Sequence, residues 1–391
     1  MSLRSERQEI IQQQLKRRYA RDRRFKAYCV GALSSALLFL VVFFGDMITT
    51  GVSALKETEI QVTINWNEDT ADYPYSAVPE EIQPLVSRAW LRNLPRVMRN
   101  NPELMGTQTV EWALADSRLD QYMKGKFTKL DEQQQAYADQ LNKEGRIKQS
   151  FNTTLFTNGD SKIPEYSGLA SALMGSVLVL ILTLALAFPV GVLTAVYLEE
   201  YAPDNWFTRV IEININNLAA VPSIIFGLLG LAIFINFMGV PRSSAIAGGL
   251  TLGLMTLPVI IISTRAALRA VPDSIRQGAY GLGCSRWRVV RDHVLPSSLP
   301  GIFTGTIIGL AQAMGETGPR IMIGMIAFIP DIPTNFTQAA TVLPAQIFTW
   351  FTEPEQAYQS RTAAGILVLL TVMISMNATA VYLRHRFQRN W

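Results

Sequence analysis

Three observations predict an all-α membrane protein: six apolar stretches of near-spanning length, a hydrophobic content of 49%, and basic residues gathered at the ends of those stretches. A polar portion between the first two stretches predicts a small α+β extracytoplasmic insert. The chain has 391 residues and two cysteines, Cys29 and Cys284, so neither a disulfide framework nor a Cys-rich metal site is expected. Two histidines make a His-based metal site equally unexpected, and no metal site is assigned. The net charge of +4 is modest, and its placement at segment ends favours membrane topology over nucleic-acid binding.

Residues 1–26 are polar and basic and read as a cytoplasmic N-terminus, since basic flanks are retained inside; RNA binding is the competing reading. The first transmembrane helix occupies 27–51, with its apolar run from Ala27 to Thr49. A cleaved signal peptide shares the basic start and apolar core. The long basic lead and near-spanning run favour an uncleaved anchor, which places residues 52–165 outside.

The insert, 52–165, holds no spanning segment. Ile60, Val62, Ile64 and Trp66 alternate through Glu57–Trp66, the period of a half-buried strand. Residues 78–100 and 109–123 read as amphipathic helices, with Trp90, Leu91, Leu94 and Val97 on one face of the first. A third helix falls near 129–144, and FNTTLFTNGD (151–160) reads as a strand and turn. The insert shows no catalytic constellation, and its carboxylates read as a solvated surface.

The membrane core, 166–385, holds the other five spans. Ser167–Leu198 is the second, with Pro189-Val-Gly191 allowing a kink, and EEYAPDNW makes a short cytoplasmic connection. The third follows IEININNLAAVPS and runs to about Phe237; Pro222, Gly227 and Gly230 point to close packing or a bent helix. The fourth is Ala245–Leu268 and the fifth Ser298–Ile329. Residues 330–360 form an outer loop with Pro330, Pro333, Trp350 and Pro354. Ala363–Leu383 is the sixth span, followed by RHRFQR and a cytoplasmic C-terminus, 386–391. With both termini inside, every basic cluster falls on the cytoplasmic face.

Between the fourth and fifth spans lies a polar loop, 272–296, in or beside which Arg265, Arg269, Arg276, Arg286, Arg288 and Arg291 stand against Asp273 and Asp292. Pro272 starts a short helix whose positive end Asp273 favours. Gly281 and Gly283 permit a tight turn, and Trp287, Val290 and Val294 line one face of a second short helix that Pro296 ends. Such a helix-turn-helix suits docking into a groove on a soluble partner; a solvated basic loop is the plainer reading. Gln277, Gly278, Ala279, Gly283, His293, Leu295 and Pro296 keep the spacing E-A-A-x-x-x-G-x9-I-x-L-P. The loop thereby resembles the coupling loop of bacterial ABC importer permeases, departing at Gln277 for Glu, Gly278 for Ala and His293 for Ile. The resemblance implies the type I ABC importer permease fold, with Gln277, Gly278, Ala279, Gly283, Leu295 and Pro296 coupling to an ATPase.

The fifth span contains AMGETGPR, with Glu316 and Arg320 inside a membrane-length segment. Each charge costs about 2.5–3.5 kcal/mol at a helix centre, so both should face a partner or an aqueous cavity. On one helix they lie a turn apart and can pair. Arg320 and freed backbone amides suit an oxyanion, with Glu316 orienting the arginine or gating; a structural ion pair is the competing reading.

VPSIIFGLLG and GETGP, in order around the coupling loop, resemble the V-P-S-I-V-Y-G-L-L-G and G-E-T-A-P segments of PstA-type phosphate permeases over roughly 168–385. This chain has Gln312 where such permeases often carry a basic residue, a turn before the GET motif. The resemblance implies a substrate pathway containing Glu316, Thr317, Arg320 and Ser223, in a multi-pass protein of the bacterial inner membrane. It implies as partners a PstC-like second permease, a PstB-like ATPase dimer and an extracytoplasmic PstS-like phosphate-binding protein, beside the lipid bilayer. The chain carries no G-x-x-x-x-G-K-[ST] loop, so no cofactor is assigned and ATP belongs to the partner ATPase. The alternatives are a permease for sulfate or molybdate, or a proton-coupled secondary carrier using Glu316.

Overall fold

The computed structural model describes residues 3–126, 129–326 and 328–387; the last four residues of the expected C-terminal tail, 388–391, lie outside them. Residues Met1–Thr50 and Gly51–Trp391 form two compact units. The first is taken up by the long helix α1 (Leu3–Ala54), whose last residues belong to the second unit. From Arg18 onward α1 is long and apolar enough to cross a membrane.

The second unit opens with β1 (Lys56–Asn65), in which Thr58, Ile60, Val62 and Ile64 alternate into a core, as the period of two requires. It is the centre of a three-stranded antiparallel sheet ordered β2-β1-β3, with β2 at Gln108–Leu114 and β3 at Ile147–Phe151. Trp66 is buried beside it and donates its indole N–H to Thr109 at 2.9 Å. Helix α2 (Arg88–Asn100) covers the sheet's core with Leu91, Leu94 and Met98. It is followed by α3 (Ser117–Met123), α4 (Glu132–Lys143) and the single turn α5 (Thr154–Thr157).

Three segments of the insert differ from the sequence expectation. The helix expected over 78–100 begins only at Arg88, since Pro79 and Pro84 fall in the preceding irregular stretch. The helix expected over 109–123 is β2 followed by α3. Thr109, Val110 and Trp112 suit a strand, and the helix waits for Asp116, whose carboxylate caps it by accepting from the Arg118 N–H at 3.0 Å. In FNTTLFTNGD the strand ends at Phe151 and α5 replaces the turn.

Helix α6 (Ala170–Val196) continues as a wider π-type turn through Tyr201. The third apolar segment is broken: α7 (Trp206–Ala219) and α8 (Ser223–Gly230), the latter extended through Phe237, meet at 102°. Pro222 sits at the break, where it withholds a backbone donor. Helix α9 (Ala245–Arg269) packs against both α6 and α12 (Leu295–Gly315). Between them lie α10 (Asp273–Gly281) and α11 (Arg286–Arg288), the latter continued by a π-type stretch, Val289–Val294, that runs into α12. After α12 come α13 (Gly318–Met322), α14 (Leu343–Thr352) and α15 (Ala357–Phe387). The expected outer loop 330–360 thus contains a helix, anchored by buried Trp350, which donates to Asp160 at 2.9 Å.

Among the described residues, five helices are long and apolar enough to span a membrane, and the α7–α8 pair makes a sixth if counted as one bent span. The fold is an all-α membrane protein with a small α+β insert.

Candidate functional site

Helix α12 stops at Gly315, not at residue 329. A helix continued through Pro319 would drive its ring against the Gly315 carbonyl, so the chain leaves the helix at Glu316 (φ −76°, ψ 119°) and restarts as α13. The expected one-turn spacing of Glu316 and Arg320 is therefore lost, and no ion pair joins them among the described residues. Arg320 instead turns back, 1% exposed, and donates to the Ala313 and Met314 carbonyls at 2.9 Å each. These are two of the last carbonyls of α12, which lack i+4 amide donors; the Glu316 N–H also reaches the Ala313 carbonyl at 3.3 Å. A cation at a helix C-terminus is also favoured by the helix dipole. The Nε of Arg320 has no hydrogen-bond partner among the described residues.

Glu316 lines a cavity of about 190 Å³ together with Ser223, Gln312, Thr256, Met255 and Phe226. The α7–α8 bend supplies Ser223, α9 supplies Thr256, and α12 supplies Gln312 one turn before Glu316. Close helix approach closes the neighbouring wall: a Cβ on Gly227 would lie 2.7 Å from the Pro319 Cα. The structure thus brings Ser223 and Glu316 together and leaves Thr317 and Arg320 out of the lining. Gln312 and Thr256 join them; Gln312's place a turn from Glu316 was legible, whereas the approach of Thr256 from α9 was not. The cavity offers a carboxylate, an amide and two hydroxyls, and no cation lines it among the described residues.

The 272–296 loop forms a second site. Gly283 adopts φ +81°, a left-handed conformation that favours glycine, and turns the chain between α10 and α11. Ala279, Val289 and Val294 are buried in an apolar cluster with Leu198, Ile215 and Leu268, while Gln277, Gly278 and Gly283 are exposed and Leu295 and Pro296 half-buried. Two expectations fail. Pro296 does not end a helix; the π-type stretch Val289–Val294 runs into α12 just before it, and the helix continues. Trp287 does not share a face with buried Val290 and Val294; it is 61% exposed, near Leu282 in sequence at 87%. The intervening π-type stretch shifts the helical phase, so spacing alone misassigned it.

The loop's arginines find partners mostly outside the loop. Arg276 donates to Glu200 at 2.8 Å, to the Leu268 and Val271 carbonyls at 2.9 and 2.7 Å, and to Asp273 at 3.2 Å. Arg265 joins Glu199 and Glu212, and Arg269 donates to Glu199 at 2.8 Å. Arg286 stacks on the Tyr201 ring at 5.2 Å. The signal for these acids was the EEY of the α6–α7 connection, which the sequence alone left unpaired.

Helices long and apolar enough to span a membrane, one of them broken beside a polar cavity, define a polytopic membrane protein. The chain belongs to the family of binding-protein-dependent transport system inner membrane components, which matches residues 187–389. A domain of unknown function, DUF3333, matches residues 12–82. The chain is 32% identical over 213 residues to the phosphate transport system permease protein PstA of Yersinia pestis, covering 54% of this chain and 71% of that protein. It is 33% identical over 224 residues to PstA 1 of Mycobacterium tuberculosis strain CDC 1551 / Oshkosh, covering 57% and 73%. An inward-facing structure of the MetNI methionine ABC transporter is 18% identical, with a TM-score of 0.42, over 56% of this chain and 94% of that chain. The chain is an ABC importer permease, and within that class it is of the PstA type.

Proposed function

We propose that this chain carries inorganic phosphate across the bacterial inner membrane as one permease of an ATP-driven importer, coupled to a separate ATPase through the 272–296 loop. The observation that carries the coupling is the loop's form: Leu282 and Trp287 stand exposed at the tip while Ala279, Val289 and Val294 root it in the helix cluster. Exposed large apolar side chains on a rooted helix-turn-helix suit a groove on a soluble partner. Engagement of a PstB-like ATPase dimer would push this loop and rock the spans around the cavity. The partners of the reading are a PstC-like permease and a PstS-like phosphate-binding protein outside, with residues 52–165 touching one of them. Both termini lie in the cytoplasm, as the basic flanks favour.

The substrate rests on the PstA-type relatives. The cavity chemistry adds a reason: a protonated phosphate has O–H donors that Glu316 and Gln312 can accept, and sulfate has none. The test is uptake of labelled phosphate by vesicles holding this chain with its ATPase, second permease and binding protein, with sulfate and molybdate as competitors. ATP-dependent uptake untouched by either competitor supports the reading; full competition moves the substrate to another oxyanion. Leu282→Asp should abolish recovery of the ATPase in a pull-down, and undiminished recovery would refute the coupling loop. Uptake that persists without the ATPase would favour a proton-coupled carrier.

A further inference from the structure

The sequence Glu199-Glu200-Tyr201 at the end of α6 has no part in the motifs that define the loop, yet it touches every element around it. Glu199 accepts from Arg269 at 2.8 Å and Arg265 at 3.2 Å, both on α9. Arg265 also donates to Glu212 of α7 at 2.6 Å. Glu200, buried, accepts from Arg276 of α10 at 2.8 Å, and Tyr201 lies under Arg286 of α11. One three-residue stretch therefore holds the last turn of α9 and both arms of the loop.

The covalent chain gives the loop a different set of attachments. It is continuous with α9 through Ala270–Pro272 and with α12 through the π-type stretch, but with neither α6 nor α7. A push on α10 can swing it about Ala270–Pro272 unless something ties α10 to α6. Arg276 is that tie, because its guanidinium holds Glu200 while also binding the Leu268 and Val271 carbonyls at the end of α9. A planar fork of fixed donors resists bending better than a point charge would. Apolar packing through Ala279 and Val289 positions the loop but has no directional grip of this kind.

We propose that Glu200 and Arg276, supported by Glu199 and Tyr201, form a transmission joint that makes α6, α9 and α10 move as one body when the loop is engaged. The joint rests on the coupling reading above, and its residues are positioning residues that touch no substrate.

The test uses the complete importer in proteoliposomes, reading three quantities: ATPase recovery in a pull-down, ATP hydrolysis, and phosphate moved per ATP. Glu200→Gln keeps an acceptor and removes the charge. Arg276→Lys keeps the charge and removes the fork. Both should leave ATPase recovery and hydrolysis in place and lower phosphate moved per ATP by about tenfold, with Lys the milder of the two. Unchanged phosphate per ATP in both variants overturns the joint. Parallel loss of ATPase recovery and uptake overturns it too, since the pair would then merely shape the docking surface. Leu282→Asp is run alongside: if it leaves ATPase recovery intact, the coupling reading fails, and that outcome is distinct from a failure of the joint.

Discussion

The placement of Arg320 yields a prediction that separates a structural arginine from a substrate ligand. Arg320→Met keeps length and apolar bulk and removes the guanidinium. The wild-type side chain makes two hydrogen bonds of 2.9 Å to the final carbonyls of α12, with no carboxylate paired to it among the described residues. Hydrogen bonds from charged groups contribute about 1.5–3 kcal/mol each, so the pair is worth about 3–6 kcal/mol gross. Relief from burying an uncompensated charge offsets part of that, and about 2–3 kcal/mol of net destabilisation is expected. Arg320→Lys, which delivers a point charge to one carbonyl at a time, should lose about half as much. Arg320→Ala adds an unfilled space beside the break and should be the worst of the three. Thermal unfolding of the purified complex in detergent measures the order Arg, Lys, Met, Ala, with uptake falling in the same order as the α12–α13 break loosens. If Arg320→Met unfolds like the parent while uptake disappears, Arg320 is no cap and its side chain contacts the substrate.

Glu165 gives a pH test outside the spans. Burial, reinforced by nearby Asp116, raises its pKa from 4.5 to about 7. A carboxyl whose folded pKa is raised contributes stability that is fully present below about pH 4.5 and lost as pH rises through 7, worth about 3 kcal/mol at most. Unfolding temperature should therefore fall between pH 5 and pH 8, and Glu165→Gln should flatten that fall; an unaltered slope would remove the assignment. Gly227→Ala should cost about 1–3 kcal/mol by forcing α8 off Pro319, and should lower phosphate uptake at unchanged expression. A Gly227→Ala protein with parental stability would show that the α8–α13 contact has slack. In the loop, Trp287→Ala should weaken ATPase recovery less than Leu282→Asp, because truncation removes apolar contact whereas Asp also introduces a charge.

Most of the architecture was legible because membrane spans must satisfy their backbone internally and be apolar for their full length. Runs such as Ala245–Leu268 therefore announce a helix without tertiary context, and α9 ends within one residue of that expectation. Strand β1 was legible for a related reason, since Ile60, Val62 and Ile64 alternate with partly exposed neighbours. Strand β2 was not: Val110, Ala113 and Leu114 stand at the i, i+3, i+4 spacing that a helix also satisfies, and pairing with β1 decided between the two. In the loop, Gly283 and Pro272 marked the turn and the helix start correctly. The face carrying Trp287 could not be read, because a π-type stretch has no distinctive residue pattern.

The sequence by itself determined the number and place of the apolar segments, the insert's class, and the motifs that identify the loop. Those are properties of local composition and period, which water and lipid act on residue by residue. Tertiary structure decided which polar groups meet. Glu316 turned from Arg320 toward Ser223 because a proline broke the helix between the two charges. Arg320 became the cap of α12 because the same break left the last carbonyls short of helical donors. Glu200 met Arg276, 76 residues away, because α6 packs along α9 and ends beside α10, and no periodicity within either segment encodes that meeting.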